Sequence, residues 1–218
     1  MRLLTIGIVM THIIFDVDNT LVKSYDFDEA CFLLAVQEVT GMVLLNNWDT
    51  YPNITDTGIL QTFIERQAPH FCLSELESLV KKVFIKNIKE NLNLSSVKEV
   101  LGAKAFFHSL SNNKRYKVSI ATGGWGETAK LKLYSAGFDI RNVNIASSND
   151  HYSRAEIIKI ASGNQHQNDD ITYFGDADWD VKACRSLGIN LVIVGDRIDY
   201  FQSIKDFQNS QKALNYII

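Results

Sequence analysis

Cysteine is scarce in this 218-residue chain and badly placed for structural work. Cys31, Cys72 and Cys184 show no metal-type spacing, and an odd count argues against a disulfide framework. Reduced thiols and a cytoplasmic protein are therefore expected. Positive charge is not in excess either, with 22 Lys and Arg against 25 Asp and Glu and a formal net charge of −3. That balance argues against a general nucleic-acid-binding surface, which needs clustered Lys and Arg. It leaves room for a phosphorylated ligand, for which a local positive field is enough. The apolar stretch Met1–Met10 is too short to span a bilayer and runs into the next strand without a small-residue cleavage site. It reads as an extra strand, or as residues upstream of a start at Met10, and no membrane association is expected. Internal repeats and low-complexity tracts are missing. The rest is ordinary globular composition, 46% hydrophobic and 22% charged, enough for one moderate domain or a core with a smaller accessory unit.

Against that background His12-Ile13-Ile14-Phe15-Asp16-Val17-Asp18-Asn19-Thr20 stands out. An apolar run with the character of a doubly buried parallel strand ends abruptly in two carboxylates. Like charges that close repel, so a cation between them, or one kept protonated, is the natural resolution. Open α/β sheets bind ligands at the carboxyl ends of their strands, where Asp16 and Asp18 would lie. Alone, the pair reads equally well as an Asx turn.

Three further segments change that reading. Val118-Ser119-Ile120-Ala121-Thr122-Gly123-Gly124 is a second apolar strand ending in a hydroxyl and two glycines. Ile171 to Phe174 is a third, running through Gly175 into Asp176, Asp178 and Asp180. Between them, Ser153-Arg154-Ala155-Glu156 has the pattern of a capping box and puts a lone cation at a helix start. In type, order and strand-end position, the four segments resemble the motifs of the haloacid dehalogenase superfamily of phosphohydrolases, in particular its phosphoglycolate phosphatase-like members with a helical cap. The resemblance covers nearly the whole chain.

The resemblance implies an α/β fold, a Rossmann-like parallel-sheet core over residues 1–22 and 97–218, and a helical cap over 23–96. It implies a Mg²⁺-dependent phosphatase acting on a small phosphorylated metabolite through an aspartyl-phosphate. Asp16 would be the nucleophile and Asp18 the acid and base; the second aspartate is typical of phosphatases and phosphomutases in this superfamily. Thr122 and Gly123 would bind phosphate oxygens, helped by the amides of the helix that follows. Asp16 and Asp176 would hold Mg²⁺ through side chains and Asp18 through its backbone carbonyl, with Asp180 a water-mediated ligand or an orienting acid. Ca²⁺ fits less well, because the acid series of an EF-hand is missing. The cation is where the chain departs from the family, which usually has lysine. Arg154 is expected to fill the role; Lys159 has the customary side chain but lies five positions further along its helix. A sugar phosphomutase and a catalytically silent ligand-binding protein are the alternatives. A receiver domain, which also phosphorylates an aspartate, lacks the insertion after the first strand.

Periodicity supports this layout. After Leu21 the pattern turns helical: Asp28–Val36 opens a helix closed near Gly41, Asp56–Arg66 makes a second, and a capping-box pattern at Ser74 opens a third through Ile88. Strands and helices then alternate: helix Ala103–Leu110, strand Val118–Ala121, helix Glu127–Ala136, strand Val143–Ala146, helix Arg154–Ala161, strand Ile171–Phe174, helix Val181–Leu187 and strand Leu191–Val194. Residues 162–170 read as a solvated loop with His166 idle. Asn53–Asp56 either faces the site or serves as a helix cap, at Thr55 or Asp56. Trp125 either walls the site or is a partly buried aromatic. Asp178 is expected to face solvent, and Lys81, Lys82, Lys86 and Lys89 to form a solvated helix face. His12, His70, His108 and His151 have no triad or ligand spacing.

Overall fold

The computed structural model describes residues 10–163 and 170–217. The question left by Met1–Val9 and the expectation for His166 lie outside the described residues. Among the described residues six strands form one all-parallel sheet: β1 (Thr11–Phe15), β2 (Tyr116–Ala121), β3 (Asn144–Ala146), β4 (Ile171–Gly175), β5 (Asn190–Val194) and β6 (Ser203–Ile204), in the order β3-β2-β1-β4-β5-β6. β6 has two residues, too few to carry a period. β1 is the turning point, with the chain winding outward on one side through β2 and β3 and on the other through β4 to β6. Crevices at such points are where open α/β sheets bind ligands.

Register explains why distant residues meet. Phe15 lies opposite Ile120 on β2 and Phe174 on β4. The next residue, Asp16, continues the ladder by donating its N–H to the Phe174 carbonyl at 2.9 Å. Asp16, Thr122 and Asp176 thus emerge side by side, though about 50 to 160 positions separate them in the chain. The strand interiors hold this edge still. Phe15 stacks on Phe174 at 5.0 Å and meets Phe106, Phe107 and Phe207 on the same face. The other face packs Ile14, Tyr173 and Ile193 against Ile157, Ile158 and Cys184.

Three helices fill the chain between β1 and the core's return: α1 (Tyr25–Thr40), α2 (Asp56–Gln67) and α3 (Leu73–Leu94). α1 ends at Gly41, whose φ of 70° closes the helix in the left-handed region that glycine enters without strain. α3 starts one residue before the expected Ser74 box, with Cys72 at its N-cap and no side-chain cap bond. Phe32, Leu60, Phe63, Leu76, Phe84 and Ile88 give this helical unit a hydrophobic cluster of its own. The core continues through α4 (Ala103–Ser111), α5 (Gly126–Ser135), α6 (Arg154–Ser162), α7 (Asp178–Leu187) and the short α8 (Ser210–Leu214). Ser153 does sit at the N-cap of α6, but the anticipated capping box does not form: Glu156 turns instead to Lys159. Among the described residues, no helix is long and apolar enough to cross a membrane.

Candidate active site

Each carboxylate at the sheet edge arrives by a different backbone route. Asp16 follows β1 directly, Asp176 follows β4, and Asp180 returns from the first turn of α7. Their oxygens lie within 4.8 Å of one another, and all three residues are buried. Asp180 is largely committed. Its Oδ2 accepts the N–H groups of Asp176 and Ala177 at 3.1 and 3.2 Å, fixing the start of α7. Its Oδ1 accepts the Tyr173 hydroxyl at 3.2 Å. Gly175 permits this fold-back, since a Cβ there would lie 2.5 Å from Asp180 Oδ2. Asp178 is exposed, as expected of it.

Two arginines answer the charge. Arg154 Nη1 lies 3.2 Å from Asp180 and 3.5 Å from Asp16, and its guanidinium is held by the Ile54 carbonyl and Tyr173 hydroxyl at 3.4 Å. Arg197 Nη1 lies 3.3 Å from Asp176, with its guanidinium over the rings of Tyr25 and Trp179 at 4.4 and 4.7 Å. Burial nevertheless drives Asp16 well above the usual carboxylate range; Arg154 opposes it and the neighbouring acids add to it. Asp176 is pushed up to about 7, first by burial and then by Asp180, with Arg197 pulling the other way. Carboxylates in that condition are short of positive charge, and their hard oxygens suit a divalent cation such as Mg²⁺. Asp16 and Asp176 have oxygens for it; Asp180, with its bonds already taken, fits the orienting role. Lys159 stays away, paired with Glu156 at 2.6 Å on the surface.

Asp18 has a cation of its own. Of the two resolutions anticipated for the pair, a cation between them or one acid kept protonated, the raised pKa of Asp16 accords with the second. The Asp18 carboxylate turns to Lys132 Nζ, at 2.6 and 2.8 Å, and to the Ser24 hydroxyl. Lys132 comes from α5 with its side chain wholly buried, and also reaches Asp28 of α1 at 2.5 Å. Burial alone would lower the Lys132 pKa, but the two carboxylates outweigh it and hold the ammonium charged. Asp28 is pushed by burial to about 7 despite the lysine.

Thr122 is buried with its hydroxyl accepting the Gly124 N–H at 3.2 Å. A Cβ at Gly123 would press on the Arg154 guanidinium and the Ile54 carbonyl, so a side chain there would displace Arg154. The segment 53–56 is both things it was read as. Thr55 caps α2 by accepting from Gly58, and Ile54, Thr55 and Asp56 line the cavity. Trp125 does not wall the site: it is fully buried in the cluster of α1–α3, against Phe32 and Phe84. Its N–H donates to Asp56 Oδ2 at 2.7 Å and its indole Nε1 to Thr57 at 3.1 Å, tying the sheet-edge loop to α2. Among the histidines, His12 pairs with Ser119 at 2.8 Å and is lowered to about 4 by burial and Lys117.

These groups surround one cavity of about 90 Å³, with Asp16, Thr122, Gly123, Arg154 and Asp176 on the sheet side and α1 and α2 opposite. Sequence reasoning missed Lys132, Asp28 and Arg197. For the first two a signal existed. Lys132 follows Thr128 and Ala129 by four and three positions, and Asp28 precedes Cys31, Phe32 and Ala35. Each is a charge at the helical period of an apolar face.

Comparison with known proteins agrees with this fold. A family model described as haloacid dehalogenase-like hydrolase matches residues 13–194. No curated protein matches. A hydrolase from Pseudomonas syringae superposes with a TM-score of 0.74 at 20% identity, over 94% of this chain and 98% of its own. A predicted phosphoglycolate phosphatase from Haemophilus somnus gives 0.66 at 18%, over 94% and 98%. A β-phosphoglucomutase from Clostridium difficile gives 0.70 at 15%, over 95% and 98%. Identities this low establish a shared fold.

Proposed function

Because the chain belongs to the haloacid dehalogenase-like hydrolase family, we propose that it is a Mg²⁺-dependent phosphatase that hydrolyses a small phosphomonoester, with α1–α3 as the cap over its active site. The observation that carries this reading is the meeting of Asp16, Asp176, Arg154 and Thr122 on one cavity at the carboxyl edge of the sheet. A binding protein has no use for so many buried, mutually repelling acids.

In the first displacement Asp16 attacks phosphorus; an Asp16–phosphorus bond forms, the ester P–O bond breaks and the alkoxide takes a proton from Asp18. In the second, water attacks phosphorus, the Asp16–phosphorus bond breaks and Asp18 takes the proton back. The sum is ester plus water giving alcohol plus inorganic phosphate. Lys132 and Ser24 hold Asp18 at the cavity wall for both proton transfers. Arg154 and the Thr122 hydroxyl would bind the phosphoryl oxygens, and Tyr173 and Asp180 keep Arg154 aimed. Mg²⁺, bound by Asp16 and Asp176, would supply the remaining positive charge. Helices α1 and α2 exclude bulk water.

Phosphate release from small phosphomonoesters, with and without Mg²⁺, tests the reading. Mg²⁺-dependent release, lost in Asp16→Asn, is expected, together with a rise in melting temperature on adding Mg²⁺. Full turnover after exhaustive chelation, or in Asp16→Asn with deamidation excluded, would refute it. Conversion of a sugar phosphate to its isomer without release would indicate the mutase.

A further inference from the structure

We propose that the end of the cavity away from the phosphate site selects short phosphomonoesters whose alcohol carries a protonated amine. This rests on the phosphatase reading and names its substrate class.

Size comes first. A cavity of about 90 Å³ is well under the ~300 Å³ at which ordinary drug-sized pockets begin. It has room for the bound phosphoryl group and an alcohol of a few heavy atoms. The ties of Trp125 to Asp56 and Thr57 hold α2 against the sheet-edge loop, so the space is not readily enlarged.

Charge decides between small alcohols. Helix α1 lines the cavity with Asp28 and Glu29, and Asp56 opens α2 beside the Thr122–Gly124 loop. Among the described residues of the lining, Arg154 is the one Lys or Arg. It sits on the phosphate side, within 3.5 Å of Asp16. Lys132 answers Asp18 and Asp28 from behind the wall, its side chain wholly buried. Glu29 and Asp56 have no Lys or Arg partner among the described residues. Asp56 is buried, and accepts the Trp125 N–H while burial raises its pKa well above the usual range. An ammonium group would relieve that condition. A carboxylate or a second phosphate on the alcohol would instead meet the acids with no cation to receive it.

Aromatic rings complete the environment. Trp48 lines the same end with its indole donating to Glu29 Oε1 at 2.5 Å, and Phe32 lies beside it. Ring faces next to carboxylates attract organic cations, and the two effects reinforce each other.

The two-carbon series phosphoethanolamine, ethyl phosphate and phosphoglycolate tests this, since length is constant and the terminal group is cationic, neutral or anionic. With the full chain and Mg²⁺, kcat/KM should rank in that order, each step about tenfold or more. Glu29→Gln and Asp56→Asn keep the hydrogen-bond acceptors toward Trp48 and Trp125. At least one should cut the ratio of phosphoethanolamine to ethyl phosphate by about tenfold, equivalent to about 1.4 kcal/mol. Ratios near one, a preference for phosphoglycolate, or ratios unmoved in both variants would overturn the inference while leaving the phosphatase reading intact. No phosphate from these esters or from the more reactive acetyl phosphate would overturn both.

Discussion

Asp16 and Asp18 stand two residues apart at one strand end, yet they belong to different electrostatic neighbourhoods. Asp16 lies in the core, where Asp176 and Asp180 crowd it and Arg154 approaches no nearer than 3.5 Å. Asp18 lies at the seam with the helical unit, where Lys132 reaches it at 2.6 Å and bridges to Asp28. The first neighbourhood is left under-neutralised; the second is closed on itself. An under-neutralised acid cluster stays ready for a divalent cation and a phosphate dianion together. A closed ion pair fixes a side chain and ties two layers. On the proposed reading the open cluster supplies the nucleophile and the closed pair holds the acid–base group in place, and the contrast can be probed from each side.

The largest effect should come from the open side. Asp16→Asn should lower turnover by at least about 10⁴-fold, since the nucleophile is gone while its volume remains. Stability should move the opposite way: removing one charge from a repelling cluster should leave the melting temperature equal or higher without Mg²⁺, and shrink the rise that Mg²⁺ produces. Phosphate release and thermal melts with and without Mg²⁺ read both. A lower melting temperature in the metal-free variant would show that the cluster is neutralised better than its geometry implies.

Arg154→Ala comes next. The loss of a guanidinium aimed at the phosphoryl site should cost about 10²- to 10³-fold in turnover, with Arg154→Lys recovering part of it. Lysine would restore the charge without the contacts to Ile54 and Tyr173.

The closed side should answer in stability as well as in turnover, because Lys132 holds Asp18. Lys132→Met leaves Asp18 and Asp28 facing each other with no cation, for a cost of about 3 kcal/mol. Asp28→Asn leaves the Lys132–Asp18 contact in place and should cost about 1–2 kcal/mol. Denaturant melts rank the two. An Asp28→Asn loss equal to that of Lys132→Met would mean that the seam, not Asp18, is what Lys132 chiefly serves.

This contrast also marks what the sequence disclosed. The α/β alternation and the acidic strand ends were legible because an apolar run ending in carboxylates or Thr-Gly-Gly is a local signal. Arg154 was legible because a helix start after a strand has a predictable direction. Lys132 and Asp28 sit inside helices whose apolar period is otherwise regular, and their meaning depends on which helix faces which. Lys132 meets Asp18 across 114 positions, and nothing local announces that contact. A charge on the apolar stripe would have flagged each as buried, though not its partner. The capping boxes at Ser74 and Ser153 failed for a related reason: a matching pattern competes with other partners, and Glu156 found Lys159.

Lys159 itself supplies the smallest effect and the sharpest control on the open side. It has the side chain usual at the cationic position and shares α6 with Arg154. Its direction differs. Arg154 opens the helix at the sheet edge, while Lys159 lies five residues on, about 7.5 Å along the axis, paired with Glu156 one turn before it. Both members of that pair are substantially exposed, at 37% and 41%, so solvent screens most of their attraction. Lys159→Ala should therefore change stability by less than about 0.5 kcal/mol and leave kcat and KM within about twofold, a negligible free-energy difference. The pair Arg154→Ala and Lys159→Ala, assayed side by side on one substrate, fixes the assignment. A severe loss in Lys159→Ala with Arg154→Ala near wild type would move the cationic role to Lys159, and would require α6 to turn by about half a revolution from the position that Ile54, Tyr173 and Asp180 give it.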